Sequence, residues 1–179
     1  MSGLAPWLIR SLTQDDVAVF QPLRLEALRL HPEAFGASVE EELMEGSGRM
    51  IGAHPSLTLG AFADGVLIGS AGLQVPVRVK QRHRGNLFGI FVTPAWRGRG
   101  VGRAMLEGLL AHARDAGLRH VTLSVTSGNA AARALYRHSG FLTIGVEPDS
   151  LVIDGTAYDE ERMALRLTGY VTGATANPH

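Results

Sequence analysis

Thr93-Pro94-Ala95-Trp96-Arg97-Gly98-Arg99-Gly100-Val101-Gly102-Arg103 is the most informative stretch of this chain. The continuous apolar run Leu87 to Val92 precedes it and reads as a buried central strand. After it, Val101, Met105, Leu106, Leu109, Leu110 and Ala113 recur with helical period until Ala116-Gly117. The stretch is therefore a strand-to-helix turn. Glycines at 98, 100 and 102 remove side chains where a backbone must approach a ligand, and the helix that follows leaves its first N–H groups unpaired. Together these features make an anion site. The helix dipole adds about 0.3–1 kcal/mol per nearby negative charge, whereas a charge-assisted N–H bond to a phosphate oxygen contributes about 1.5–3 kcal/mol. Directed N–H bonds, more than the dipole, should hold phosphates here. The interleaved Arg97, Arg99 and Arg103 separate this turn from a plain flexible connection.

Two familiar phosphate loops are excluded by spacing. Gly-x-Gly-x-x-Gly counted from Gly98 ends on Arg103, and counted from Gly100 it ends on Met105. A Walker loop is missing its Gly-Lys-Ser/Thr.

Beyond the helix, Val121, Leu123 and Val125 alternate with Thr122 and Ser124 as a strand. Asn129 then caps a short Ala-rich helix that Gly140 closes. Phe141 to Val146 and Tyr158 to Leu167 read as a closing hairpin, joined by a turn-rich segment holding Pro148, Asp149 and Asp154-Gly155. On the N-terminal side, Trp7 to Ser11 suits a short strand, and Thr13 with Asp16 forms a capping box for a helix that Pro22 should break or kink. Leu23, Ala27, Leu28 and Leu30 fall on one face of that region, with Arg24, Glu26 and Arg29 turned elsewhere, until His31-Pro32. Ser38 and Glu41 make a second capping box, opening a helix that runs to the Gly46 to Gly48 breakers. Its first turn holds Glu40 to Glu42, expected as a solvated face favoured by the dipole. Leu57 to Ala63 and Val66 to Val77 flank Asp64-Gly65, a strong hairpin signal. Arg78 to Arg84 is a basic connector carrying the only lysine, Lys80. Gly108 inside the long helix costs about 1 kcal/mol relative to Ala, which points to close packing there.

A length of 179 residues favours one domain, residues 1–167, with a loosely ordered tail over 168–179. Basic and acidic side chains balance at 17 each, so no overall field draws the protein to nucleic acid or an anionic membrane. The absence of cysteine excludes disulfides, thiolate nucleophiles and Cys-ligated zinc. No apolar run is long enough to span a bilayer, and the start lacks a leader pattern, so a cytoplasmic protein is expected. The seven histidines form no His-x-x-x-His pair and none lies beside carboxylates at ligand spacing, so no metal is expected.

The turn Arg97-Gly98-Arg99-Gly100-Val101-Gly102 after an apolar strand resembles motif A of the GNAT N-acetyltransferase superfamily, Arg/Gln-x-x-Gly-x-Gly/Ala. The stretch Asn129-Ala130-Ala131-Ala132-Arg133-Ala134-Leu135-Tyr136-Arg137-His138-Ser139-Gly140-Phe141 is similar to motif B of the same superfamily. The resemblance implies an α/β (α+β) fold: a mixed sheet of about seven strands, splayed where the cofactor enters and flanked by about four helices. It further implies that amides across Arg97 to Arg103 cradle the acetyl-CoA diphosphate, with Ile90, Phe91 and Val92 pairing with the pantetheine arm. An amide near Ile90 would meet the thioester carbonyl, and Gly89 would mark a strand bulge. Asn129, with Ala132 on the same turn, would contact the arm, and Tyr136 would donate its proton to the departing sulfur. A phenol near 10 giving its proton outright to a thiolate near 8.5 is uphill by roughly 2 kcal/mol, so partial donation is the better expectation.

The acceptor amine must lose a proton before it attacks. Leu87 to Val92 holds no carboxylate and Asn86 offers at most a water contact. The closing segment Gly145-Val146-Glu147 and Tyr158-Asp159-Glu160-Glu161 resembles the end of a small-enzyme branch of that superfamily, which implies Glu147, Asp159 and Glu160 as candidate bases. The implied activity is N-acetyl transfer from acetyl-CoA to a primary amine by direct attack in a ternary complex, without an acyl-enzyme. The acidic closing segment leans toward a small cationic amine as acceptor. A protein or peptide amine, and a non-catalytic acyl-CoA sensing module, stand as alternatives, and the resemblance leaves a homodimer open.

Overall fold

The computed structural model describes residues 6–167, and the expected loose tail over 168–179 lies outside the described residues. Strand β1 (Leu8–Ser11) leads to the expected capping box, where Asp16 Oδ2 accepts from the Thr13 N–H at 2.8 Å, and a 3-10 turn then opens helix α1 (Val17–Leu30). Pro22 does not break α1. It lies exposed, as does Ala18 one turn earlier, so the carbonyl deprived of a partner faces water. Phe20, Leu23, Ala27 and Leu28 are buried as the core face. Leu30, expected among them, is exposed, and Arg24, expected outside, is buried.

Helix α2 (Val39–Glu45) begins at Ser38, whose hydroxyl accepts from the Glu41 N–H while Glu41 Oε2 accepts from the Ser38 N–H at 2.8 Å. The acidic run is not wholly a solvated face: Glu42 is fully buried. Strands β2 (Leu57–Ala63) and β3 (Val66–Gln74) pair antiparallel around Asp64-Gly65, with β3 ending before the expected Val77. Strand β4 (Arg84–Val92) starts three residues earlier than its apolar run, because Arg84, Gly85 and Asn86 pair with β5. Next come α3 (Val101–Asp115), β5 (His120–Thr126) and α4 (Ala130–His138). A long ribbon of β6 (Leu142–Ile153) and β7 (Thr156–Arg166) closes the chain. Pro148 and Asp149, expected in a connecting loop, are absorbed into β6 as an irregularity between Glu147 and Leu151, and the turn itself is Asp154-Gly155.

The seven strands form one mixed sheet in the order β1-β2-β3-β4-β5-β7-β6. Only β4 and β5 run parallel, and they pair only at Arg84 to Asn86 against His120 to Thr122. From Leu87 onward the two strands diverge, which is the expected splay. At Gly89, φ is +63°, and the register slips so that Ser70 faces Phe91 while Gly72 faces Phe88. Strand β4 thus carries an extra residue, a bulge. Its consequence is an inverted alternation. Leu87 packs in the core layer with Met105, Leu106 and Leu109 of α3, whereas Phe91 packs with Phe20, Leu23 and Ala27 of α1. Gly108 fits the close packing inferred for it, since a Cβ there would lie 3.1 Å from Leu59 Cδ1.

Candidate active site

The turn after β4 is held from beneath. The Thr93 N–H donates to Ile68 C=O at 2.9 Å, and Arg97 Nε donates back to Val92 C=O at 3.0 Å. Gly98 and Gly100 take φ values of +72° and +82°, a left-handed conformation that other residues adopt only with strain. The first intrahelical bond of α3 runs from the Ala104 N–H to Gly100 C=O at 2.9 Å. The N–H groups of Val101, Gly102 and Arg103 therefore have no helical acceptor. The Val101 side chain is buried in the core, so only its amide is available to a ligand. Open space surrounds the positions where Gly98 and Gly100 would carry a Cβ, which leaves a shallow cradle for an anion.

The three arginines differ in their engagement. The Arg97 guanidinium lies over the Phe91 ring and reaches His31 Nε2 at 2.9 Å. Because the guanidinium only donates, Nε2 accepts and the ring proton sits on Nδ1, 3.6 Å from Glu33 Oε1. Arg99 rests over Trp96, and Arg103 pairs along the exposed surface of α3 with Glu107 at 2.8 Å.

A cleft of about 680 Å³ leads from this turn along β4, with Ile90, Phe91, Val92 and Arg97 on one wall and Asn129 on the other. It adjoins a narrow slot between the diverging strands, bordered by Phe88 to Ile90, by Leu123 to Thr126, and by Ala132 and Tyr136. The β5-facing edge of β4 has no strand partner there, so its main-chain polar groups are open to a guest.

Helix α4 places two polar groups along the slot. Asn129 caps the helix, its Oδ1 accepting from the Ala132 N–H at 3.1 Å, and it lines both the cleft and the slot. Tyr136 is 7% exposed, with its ring edge against Phe141. Its hydroxyl makes no hydrogen bond to any described residue, and burial pushes its pKa up to about 12. Glu161 of β7, only 3% exposed, anchors α4 from below by accepting from Arg133, Arg137 and the Thr143 hydroxyl.

The three candidate bases are not gathered with Tyr136. Glu147 is exposed and 3.9 Å from Arg162, Asp159 Oδ1 accepts from the Asp149 N–H, and Glu160 accepts from Ser150 Oγ at 2.7 Å. None of them lines the cleft or the slot; from this ribbon it is Tyr158 that does. The carboxylate that lines the cleft is Glu33. Glu33 carried no expected role, since the helical run reads as ending at His31-Pro32. The only available signal was a His-Pro-Glu connector between two amphipathic helices. Among the described residues, no group of three His, Cys, Asp or Glu is arranged to hold a metal, and no helix is long and apolar enough to cross a membrane.

Comparison with known proteins bears on the family and the fold. The sequence model of the acetyltransferase (GNAT) family matches residues 21–141. A mycothiol acetyltransferase of Beutenbergia cavernae is 35% identical over 136 residues, 75% of this chain but 44% of that protein. An aminoglycoside N(6')-acetyltransferase type 1 of Stenotrophomonas maltophilia is 33% identical over 143 residues, covering 74% of this chain and 84% of that one. The chain thus spans less than half of the first relative and most of the second. Among solved structures, a GNAT-family acetyltransferase from Streptococcus pneumoniae superposes with a TM-score of 0.76 at 25% identity, covering 90% of this chain and 99% of its own.

Proposed function

This chain belongs to the GNAT acetyltransferase family, and on that footing we propose that it transfers the acetyl group of acetyl-CoA to the primary amine of a small molecule. One observation carries the reading: the slot between β4 and β5 begins where their pairing stops, and it opens through the cleft onto the unpaired amides of the glycine turn.

Acetyl-CoA supplies an activated thioester, and the chain's residues bind and orient it. Amides from Gly98 to Arg103 hold the diphosphate, helped by the positive charges of Arg99 and Arg103. The free edge at Ile90 to Val92 takes the amides of the pantetheine arm, with Asn129 and Ala132 as the opposite wall. An amide near Ile90 donates to the carbonyl oxygen as charge builds on it. The amine nitrogen bonds to the carbonyl carbon, the carbon–sulfur bond breaks, and the sulfur departs toward Tyr136. With the phenol near 12, full proton transfer to a thiolate near 8.5 is uphill by roughly 5 kcal/mol. Tyr136 therefore acts as a hydrogen-bond donor that stabilises the leaving sulfur, and water delivers the proton. The proton shed by the amine passes to water in the cleft, where Glu33 is the lining carboxylate.

The test is release of thiol from acetyl-CoA across a panel of primary amines. Amine-dependent release with stoichiometric acetyl-amine supports the reading. Acetylated protein accumulating without acceptor overturns the direct-attack route.

A further inference from the structure

The α1 and α2 face of β4 carries a second chamber of about 440 Å³, bordered by Arg24, Arg49, Met50, Gln74 and Phe88. Phe88 also borders the slot, and Phe35, another slot residue, lies beneath the Arg24 guanidinium at 4.6 Å. The chamber thus adjoins the place where the reacting ends would meet, on the side opposite α3 and α4.

Its chemistry centres on Arg24. That residue is 8% exposed, yet its only hydrogen bond to a described residue is a long one, Nε to Glu42 Oε2 at 3.4 Å. Glu42, fully buried, is shared further: Ser47 Oγ donates to it at 2.6 Å and Arg49 reaches it at 3.4 Å. Arg49 also pairs with the exposed Glu45 at 2.7 Å. Neither Glu42 nor Glu45 lines the chamber. The chamber is therefore bordered by an arginine whose N–H fork has two terminal nitrogens with no acceptor among the described residues, with a second arginine also on its border. A buried guanidinium is costly unless its donors are used, and the geometry that uses both ends of the fork is a carboxylate.

We propose that the acceptor is an amine carrying a carboxylate, held by Arg24 and Arg49 so that its amino end reaches the thioester past Phe88. This rests on the acetyl-transfer reading and narrows it. It also reverses the cationic acceptor that the acidic closing segment suggested. The amine replaces the sulfur on the acetyl carbon, giving an N-acetyl amino acid and free coenzyme A. The carboxylate is a handle and does not react.

The experiment is a thiol-release assay with α-, β- and ω-amino acids, each set against its own primary amide, which keeps size and amine but removes the charge. The expected result is at least about a tenfold higher kcat/KM for the acid of the best pair, the worth of one charge-assisted bond. The preference should fall toward one in Arg49→Gln and in the charge-neutral pair Arg24→Met with Glu42→Gln. Calorimetric binding of acetyl-CoA by each variant then reports that the fold and the cofactor site are intact. Amide turnover equal to or above acid turnover in the native chain overturns this inference while leaving acetyl transfer standing. Failure of every amine, together with failure to bind acetyl-CoA, overturns the transfer reading itself and the inference with it.

Discussion

Arg133 of α4 and Glu161 of β7 form an ion pair that ties the helix bearing Asn129 and Tyr136 to the sheet beneath it. Arg137 adds a second bond to the same carboxylate at 3.0 Å, and Thr143 a third. The Thr143 hydroxyl first, then the two guanidinium groups, hold the Glu161 carboxyl below its usual range against the effect of burial.

Glu161→Ala should destabilise the protein by about 2–3 kcal/mol. This is below the full cost of breaking a buried pair, because Arg133 and Arg137 can turn partly to water. Denaturant unfolding measures the loss. The same variant should weaken acetyl-CoA binding several-fold, as α4 loosens at the slot. Because the native carboxyl is depressed, its contribution is complete above about pH 4.3 and disappears as pH falls through the lower native value.

Gly100→Ala separates backbone strain from ligand approach. Its φ of +82° makes Ala cost about 1–2 kcal/mol of stability although no atom lies within 4 Å of the new methyl. Gly117→Ala, at φ +71° with equally open space beyond the far end of α3, should cost the same. Only Gly100→Ala should weaken acetyl-CoA binding, by about tenfold or more. Calorimetry on both variants shows whether the turn holds the cofactor.

Gly72 lies under the Phe88 ring, and a Cβ there would meet Phe88 Cζ at 2.2 Å. Gly72→Ala should displace the ring that separates slot from chamber, at about 1–3 kcal/mol in stability. Acceptor KM should then rise more than acetyl-CoA KM, a split that steady-state kinetics resolves.

Much of this arrangement is legible in the sequence where the cause is local. The Asp64-Gly65 hairpin, the Asn129 cap, the period of α3 and the glycine turn each follow from neighbouring residues, and Gly89 lies at the bulge. What escapes is set by partners far along the chain. Arg24 is buried because Glu42, eighteen positions on, meets it. Glu161 sits in an acidic run and shows its role only once α4 packs over it. Pro22 looked like a helix breaker because its exposure cannot be read from spacing. Pro148 and Asp149 looked like a loop because a strand irregularity and a loop share the same residues. The base candidates came from the resemblance of the closing segment to a small-enzyme GNAT branch, and from this ribbon it is Tyr158 that lines the cleft.

Tyr136→Phe should lower kcat by about tenfold or more with acetyl-CoA affinity nearly unchanged. With the native phenol near 12, the rate should show no descending limb from Tyr136 up to about pH 10.5. Stability carries the complementary sign. An unfolded tyrosine ionises near 10 and the native one near 12, so the unfolded state loses its proton first and stability falls as pH rises through that window. The loss amounts to about 2–3 kcal/mol and should vanish in Tyr136→Phe, as alkaline unfolding of the two proteins would record.

The most direct measurement compares acetyl-CoA with S-acetyl-pantetheine, which keeps the thioester and arm but lacks the nucleotide diphosphate, by calorimetric titration of the native chain. If main-chain donors of the Arg97 to Arg103 turn grip the diphosphate, the truncated thioester should bind at least about a hundredfold more weakly, the worth of two charge-assisted bonds. Equal affinity for the two compounds, or no heat with either, would contradict the account.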